Sequence, residues 1–333
     1  MEAAVGGARR APHGAIGAAT ERPAPVVGAR VQFVDACRGL AVIGMLLANL
    51  VNVFLTDIPG PLSHNQGDSL RLFDLPAPVF QFLVGVSLQL FLQARTAAGR
   101  SLGQAQREAL RRFTLLILLG MLLDGLGAFS PLPRWGVLQT LGLGGILATL
   151  LAALPPATAV LVALGLLAIF SGAMNGTVHG NPGAALAFAP LTIVGLLVGR
   201  SLRRDAERTA AAIALVTLGL ALVLFRTGVP FNKVLGTSSF VALSSAVAAT
   251  AIAALAWVEH RGRAFPAWLL GVGRNALTAW VILYAFVYYP AWLAFPSWER
   301  LPVVPGLATA LVTTVALCVA TVALGRRGIR VPL

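Results

Sequence analysis

Residues 303–325 read VVPGLATALVTTVALCVATVALG, an uncharged run that stops abruptly at Arg326-Arg327. Roughly 20 apolar residues carry a helix across the hydrocarbon of a bilayer, so this run is long enough to span one. The arginine pair that ends it belongs at the headgroup boundary, on the side where basic loops collect. The same pattern recurs backward along the chain. Apolar stretches lie at about 36–56, 73–94, 110–128, 135–153, 157–174, 183–200, 208–226, 235–257 and 268–289. The ninth is the least regular, because Gly271-Val272-Gly273-Arg274 interrupts it or precedes it. The expected fold is all-α, a polytopic membrane helical bundle of about ten transmembrane helices.

Composition agrees with that reading. Of 333 residues, 57% are hydrophobic and 11% charged, and the mean hydropathy is +0.83. A water-soluble domain has no interior large enough to hide such a surface. The formal charge of +13, from 25 Lys+Arg against 12 Asp+Glu, would suggest nucleic acid in a soluble protein. Here the basic residues fall between apolar runs without interleaved aromatics, so orientation and anionic lipid headgroups explain them and nucleic-acid binding is not expected.

Sorting the connections alternately separates the charges. One side holds Arg95, Arg100, Arg107, Arg111, Arg112, then Arg200, Arg203, Arg204, Arg208, then Arg261, Arg263, and finally Arg326, Arg327 and Arg330, together with the arginines of the N-terminal stretch. The other side holds only Arg71, Arg134, Arg226, Lys233 and Arg300. The positive-inside rule then places both termini in the cytoplasm. Residues 1–30, rich in Ala, Gly, Pro and Arg, read as a disordered cytoplasmic tail. Arg9-Arg10 is followed by no apolar core and no cleavage site, so the first span is expected to act as an uncleaved anchor. Residues 31–333 form one transmembrane domain, expected in a bacterial cell (inner) membrane.

Few residues offer chemistry. His64 lies in the first outer connection near Asp57, Asp68 and Asp74, and an imidazole beside a carboxylate is held in one tautomer and made a better base. Alone, it reads more readily as a solvated loop residue. Asp74 precedes Leu75-Pro76-Ala77-Pro78, where a carboxylate either serves a function at the membrane edge or caps the second helix. Asn49 and Asn52 share a face in the outer half of the first span, suited to a neighbouring helix or a polar site. Asp35 and Arg38 have the same spacing at its inner end, suited to a local ion pair or to a phosphorylated donor. Cys37 and Cys318 have no metal or redox spacing, and no zinc pattern, P-loop, nucleophile elbow or dinucleotide fingerprint occurs.

Five short motifs in order carry a resemblance to a known family. They are Val34-Asp35-Ala36-Cys37-Arg38-Gly39-Leu40 followed by Asn49; His64 with Asp74 and the run to Gly85; Arg134-Trp135-Gly136-Val137-Leu138-Gln139; Pro230-Phe231-Asn232-Lys233-Val234-Leu235 through Phe240; and Gly273-Arg274-Asn275-Ala276-Leu277. Over most of residues 34–290 the chain resembles the catalytic domain of heparan-α-glucosaminide N-acetyltransferase and its bacterial relatives. The resemblance implies a transmembrane acetyltransferase that takes acetyl from cytoplasmic acetyl-CoA to an extracytoplasmic amino sugar or other glycan-like acceptor. It implies no metal.

It also implies His64 as base or transient acetyl carrier, oriented by Asp68 or Asp74. Asp35, Arg38, Asn49, Arg134, Gln139, Asn232, Lys233 and Asn275 become candidate substrate or donor contacts. Asn49, Gln139, Asn232 and Lys233 are candidate oxyanion donors, and Arg107, Arg111 and Arg112 are candidate partners for the donor phosphates. Asn65, Gln66, Gly67 and Asp68 stand where the family usually has a Trp, and Gly236 replaces another, which points the acceptor away from heparan sulfate. A transporter or flippase of a small polar or acylated solute is the alternative. An inverted repeat would mark it, and none is visible. Expected partners are membrane lipids, the small-molecule or glycan acceptor, and a second copy of the chain in a homo-oligomer.

Overall fold

A computed structural model describes residues 31–64, 67–128, 135–170, 182–294 and 300–331. The expected N-terminal tail and Arg134 lie outside the described residues. Among those described, every extended element is helical, and the one β-bridge joins Leu55 to Leu301.

The principal helices are α1 (Gln32–Phe54), α2 (Pro76–Ala97), α3 (Leu102–Ala128), α4 (Val137–Leu151) and α5 (Pro156–Ile169). After the short α6 (Pro182–Leu186) come α7 (Ala189–Arg226), α8 (Ser238–His260), α9 (Ala267–Arg274) and α10 (Ala276–Leu283). A π-helical turn over Tyr284–Tyr288 leads into α11 (Tyr289–Ala294), and α12 (Val303–Arg326) closes the bundle. Proline opens α2, α5 and α7 within the first two positions, where its missing N–H costs no hydrogen bond.

Five helical segments are long and apolar enough to cross a bilayer: Gln32–Phe54, Leu72–Ala97, Asp205–Arg226, Ser238–His260 and Val303–Arg326. A sixth results if the bent pair Ala267–Arg274 and Ala276–Ala291 counts as one span. Val137–Leu151, Pro156–Ile169 and Ala189–Leu202 are apolar but shorter. The expectation of about ten spans is therefore met by length and composition for five or six.

Two elements depart from straight helices. The sixth and seventh expected stretches fuse into the single α7, kinked at Asp205, whose φ of −157° and ψ of 71° leave the helical region. Its side chain then accepts from the Arg208 amide at 3.4 Å, restarting the helix. The ninth stretch breaks at Asn275 with a 74° bend, next to the glycines that made it irregular in the sequence.

The core sits around α1, α2, α7 and α8. Val34, Phe82, Leu83, Leu191, Phe240 and Ile252 make one fully buried group. Leu46, Leu50, Leu138, Val272, Leu283 and Leu317 make the centre of another. The α2–α7 crossing is close because both helices present glycine there. A Cβ on Gly85 would overlap the Thr192 carbonyl, and one on Gly195 would overlap the carbonyl of Phe82. Outward faces of α7 and α12 expose Leu215, Val216, Val223, Val312, Val315 and Val319, as a lipid-facing surface requires.

Helix directions define two ends. Asp35, Arg38, Arg274 and Asn275 gather at one, where α1 begins and α9 and α12 finish. Arg95, in the last turn of α2, and Arg100, between α2 and α3, are both paired with Glu108. This is the Arg-rich end. His64, Asp74, Leu55 with Leu301, and the loop 230–237 lie at the far end.

Candidate functional site

The far-end site is made by two loops. The first, between α1 and α2, carries His64, Asp68 and Asp74. A 3₁₀ turn over Leu72–Asp74 folds Asp74 back so that its Oδ2 accepts from the Arg71 amide at 3.0 Å. Asp74 thus caps this turn, while Leu75 takes the N-cap position of α2 without a side-chain bond. The capping expected of Asp74 falls one element earlier than the sequence suggested.

The second loop, between α7 and α8, is a tight turn fixed by Asn232. The Leu235 amide donates to Asn232 Oδ1 at 2.9 Å, and the Thr237 amide donates to the Asn232 carbonyl at 3.1 Å. Thr237 Oγ1 bonds the Pro230 carbonyl at 2.6 Å. Gly236, at φ +63°, closes the turn; a side chain there would be strained and would strike Phe188. Asn232 Nδ2 then donates to Asp68 Oδ1 at 2.8 Å, pinning one loop to the other across 164 positions of sequence.

That clasp sets Lys233 between two partners. Its Nζ lies 3.2 Å from His64 Nδ1 and 3.6 Å from Asp74 Oδ1, while His64 Nδ1 and Asp74 Oδ1 are 3.8 Å apart. Asp74 is fully buried, whereas the His64 side chain is 32% exposed and can meet a ligand. The direct partner of the imidazole is thus Lys233, and Asp74 acts on it chiefly through the lysine. Burial pushes the Lys233 ammonium below the ordinary lysine value, with Asp74 pulling the other way.

Charge on Lys233 therefore decides which imidazole nitrogen is free. An ammonium can only donate, so it would hold Nδ1 as acceptor and leave the proton on Nε2. A neutral lysine can accept from Nδ1–H and leave the Nε2 lone pair available.

A second polar group lies toward the far end of α1, α3 and α10. Tyr284 Oη donates to Asn49 Oδ1 at 3.1 Å. Gln139 Nε2 donates to Asp124 Oδ2 at 2.8 Å, and Tyr289 Oη donates to Asp124 Oδ1 at 3.1 Å. Asn49 and Gln139 thus belong with Asp124, and Asn232 is engaged in the loop clasp. Asp124, Tyr284 and Tyr289 were missed from sequence, although an acid in an apolar helix is itself a signal of function.

The third group is at the Arg-rich end. Asp35, buried, is bonded by Arg38 and also accepts from Arg274 Nε at 2.9 Å. Asn275 sits in the helix break and donates to the Gly271 carbonyl at 2.7 Å. From Arg38, Arg112 and Arg274 a cavity of about 320 Å³ runs between Phe80, Leu116 and Leu141 to Val137, Leu138 and Trp280. Of the three arginines expected to meet phosphate, Arg112 lines it, and its guanidinium lies 4.5 Å over the Phe91 ring. Arg107 and Arg111 are exposed and lie outside the lining. A smaller cavity of about 90 Å³, bordered by Asp124 and Tyr284, shares Val137, Leu138 and Trp280 with the first.

An apolar helical bundle with a basic-mouthed cavity and a His–Lys–Asp cluster at its far end is a membrane protein equipped for polar chemistry. The chain belongs to the family described as heparan-alpha-glucosaminide N-acetyltransferase, catalytic, whose model matches residues 30–285. The matched span includes every polar residue of the groups above except Tyr289 and makes the chain one of an acetyltransferase family. No curated protein matches it.

Proposed function

We propose that the protein is a transmembrane acetyltransferase that moves acetyl from acetyl-CoA, taken at the Arg-rich cytoplasmic end, to an extracytoplasmic amino-sugar or similar glycan-like acceptor. The observation that carries this reading is the His64–Lys233–Asp74 cluster, a partly exposed imidazole backed by Lys233 and a buried carboxylate, in a chain of this family. The cavity supports the donor assignment. Three arginines at its mouth suit phosphates, and its apolar length suits a thioester-bearing arm.

In this mechanism neutral Lys233 accepts from His64 Nδ1–H, and Nε2 takes a proton from the acceptor amine as nitrogen attacks the thioester carbonyl. The C–N bond forms, the C–S bond breaks, and the proton passes to the departing CoA thiolate. In the covalent variant, Nε2 attacks the thioester carbonyl and expels the CoA thiolate; the amine then attacks the acetyl carbon, the C–Nε2 bond breaks, and the amine's proton ends on CoA as its thiol. Both need the same nitrogen. The broken helix at Asn275 is the feature that favours a transporter instead, since half-helix ends line such sites.

Product formation separates the two. Purified protein incubated with radiolabelled acetyl-CoA and a panel of amino sugars should release acetylated product. His64→Ala should lower turnover at least about 10²-fold while leaving the thermal transition unchanged, because a half-exposed loop residue packs little. Near wild-type transfer by that variant would refute the assignment of His64.

A further inference from the structure

At the Arg-rich end the chain turns back on the bundle where α12 stops. Gly328, at φ +77°, ends the helix in the left-handed conformation that glycine adopts without strain. The Ile329 amide donates to the Leu324 carbonyl at 3.0 Å, and the Gly328 amide donates to the Gly325 carbonyl at 3.3 Å. These are the paired bonds of a helix end that reverses the chain. Arg330 Nη2 reaches back to the Gly325 carbonyl at 3.5 Å. A Cβ on Gly325 would strike the Asn275 amide, so the reversal sits against the break between α9 and α10.

From there the segment crosses the start of α10. The Val331 amide donates to Thr278 Oγ1 at 3.2 Å, joining positions 53 apart. Thr278 is buried, in the first turn of α10. Val331 also lines the large cavity, beside Arg38, Gly273, Arg274, Ala276 and Leu277. An isopropyl group at a mouth furnished with arginines offers an anionic ligand neither charge nor a hydrogen bond. What it can do there is stand in the way in.

We propose that Ile329–Val331 is a strap across the Arg-rich mouth of the cavity, latched to α10 by the Val331–Thr278 hydrogen bond and hinged at Gly328, and that it swings aside to admit the cavity's ligand. Calling that ligand acetyl-CoA rests on the acetyltransferase reading; the latch itself does not. A neutral hydrogen bond between a backbone amide and a hydroxyl favours the closed position by about fivefold. The strap therefore slows entry without sealing the cavity.

The test uses the full chain in detergent, with Cys37→Ala and Cys318→Ala. Ser87→Cys, on the cavity wall, is labelled with a small anionic methanethiosulfonate. Gly103→Cys, exposed near the start of α3, is labelled in parallel and reports on the reagent alone. Thr278→Val removes the acceptor of the latch, and Val331→Pro removes its donor. Each should speed labelling at position 87 by about fivefold and leave position 103 unchanged. Thr278→Ser, which keeps the hydroxyl, should label at the wild-type rate. The double variant should be no faster than either single one, because both changes break the same bond. Val331→Pro lies beyond the helix and serves if Thr278→Val does not fold. Unchanged labelling in both Thr278→Val and Val331→Pro, or additive acceleration in the double variant, overturns the proposal. Excess CoA should protect position 87 throughout. Acceleration without that protection leaves the strap standing and removes the donor assignment; protection without acceleration removes the strap alone.

Discussion

Lys233 touches both the imidazole and the buried carboxylate, so its proton controls the site at the scale of single atoms. Burial depresses its pKa below the ordinary 10.5. If neutral lysine frees Nε2, the rate must rise with pH through that lowered value, since deprotonation creates the active form. The other ionisable groups facing it are His64 itself and Asp74, with Asp68 held by Asn232. Lys233→Arg, charged at every accessible pH, should be slow throughout and show no alkaline rise. Lys233→Met should lose the alkaline rise as well and be about tenfold or more slower, because nothing then holds the tautomer. A pH–rate profile of Lys233→Arg that matches wild type would remove the lysine from the mechanism. His64 and Asp74 were legible together because ten positions of one loop separate them and histidine is scarce. Lys233 was legible as a motif residue, but its contact with Nδ1 was not, since that depends on the Asn232–Asp68 clasp between distant loops. Asp124 left no motif, and its partners Gln139 and Tyr289 lie 15 and 165 positions away.

At the scale of elements, three helices from distant parts of the chain converge on one cavity mouth. Arg38 comes from α1, Arg112 from α3 and Arg274 from the last turn of α9. They are not equivalent. Arg38 and Arg274 both neutralise buried Asp35, whereas Arg112 stacks on Phe91 and is not tied to that pair. CoA that binds only the folded protein should raise its melting temperature. Arg112→Gln should then reduce the CoA-induced shift while leaving the ligand-free transition in place; each tenfold loss of affinity removes about 1.4 kcal/mol of stabilisation. Arg38→Gln should lower both, because Asp35 is left with a single arginine in a buried setting. Thermal unfolding of the two variants with and without CoA checks the contrast, and identical responses would mean that the cavity mouth does not read phosphate. The helices themselves were legible as apolar runs. Their joints were not: the kink at Asp205 depends on a backbone angle no composition announces, and the 74° break at Asn275 was visible only as an irregularity among glycines.

For the whole molecule, the decisive property is which end faces the cytoplasm, because the donor and acceptor are assigned to opposite sides. Folding has collected Arg38, Arg112 and Arg274 around one cavity mouth, with Arg95 and Arg100 on the neighbouring connection, and has put His64, Asp74 and Lys233 at the other end. Loop charge orients membrane proteins through the excess of Lys and Arg kept in the cytoplasm, so the Arg-rich end is expected inside. Ser63 adjoins His64, and Gly103 opens α3 beside the Arg95–Glu108–Arg100 cluster; neither lies in the buried core. With the buried Cys37 and Cys318 replaced, Ser63→Cys should react with an impermeant maleimide added to intact cells. Gly103→Cys should react only after lysis. The reverse pattern would put His64 in the cytoplasm, on the donor's own side, and would leave transfer across the membrane without a physical basis even if the His64 variant proved inactive. Labelling at both positions in intact cells would point to a leaky preparation, which a cytoplasmic marker protein checked for release in the same cells would reveal.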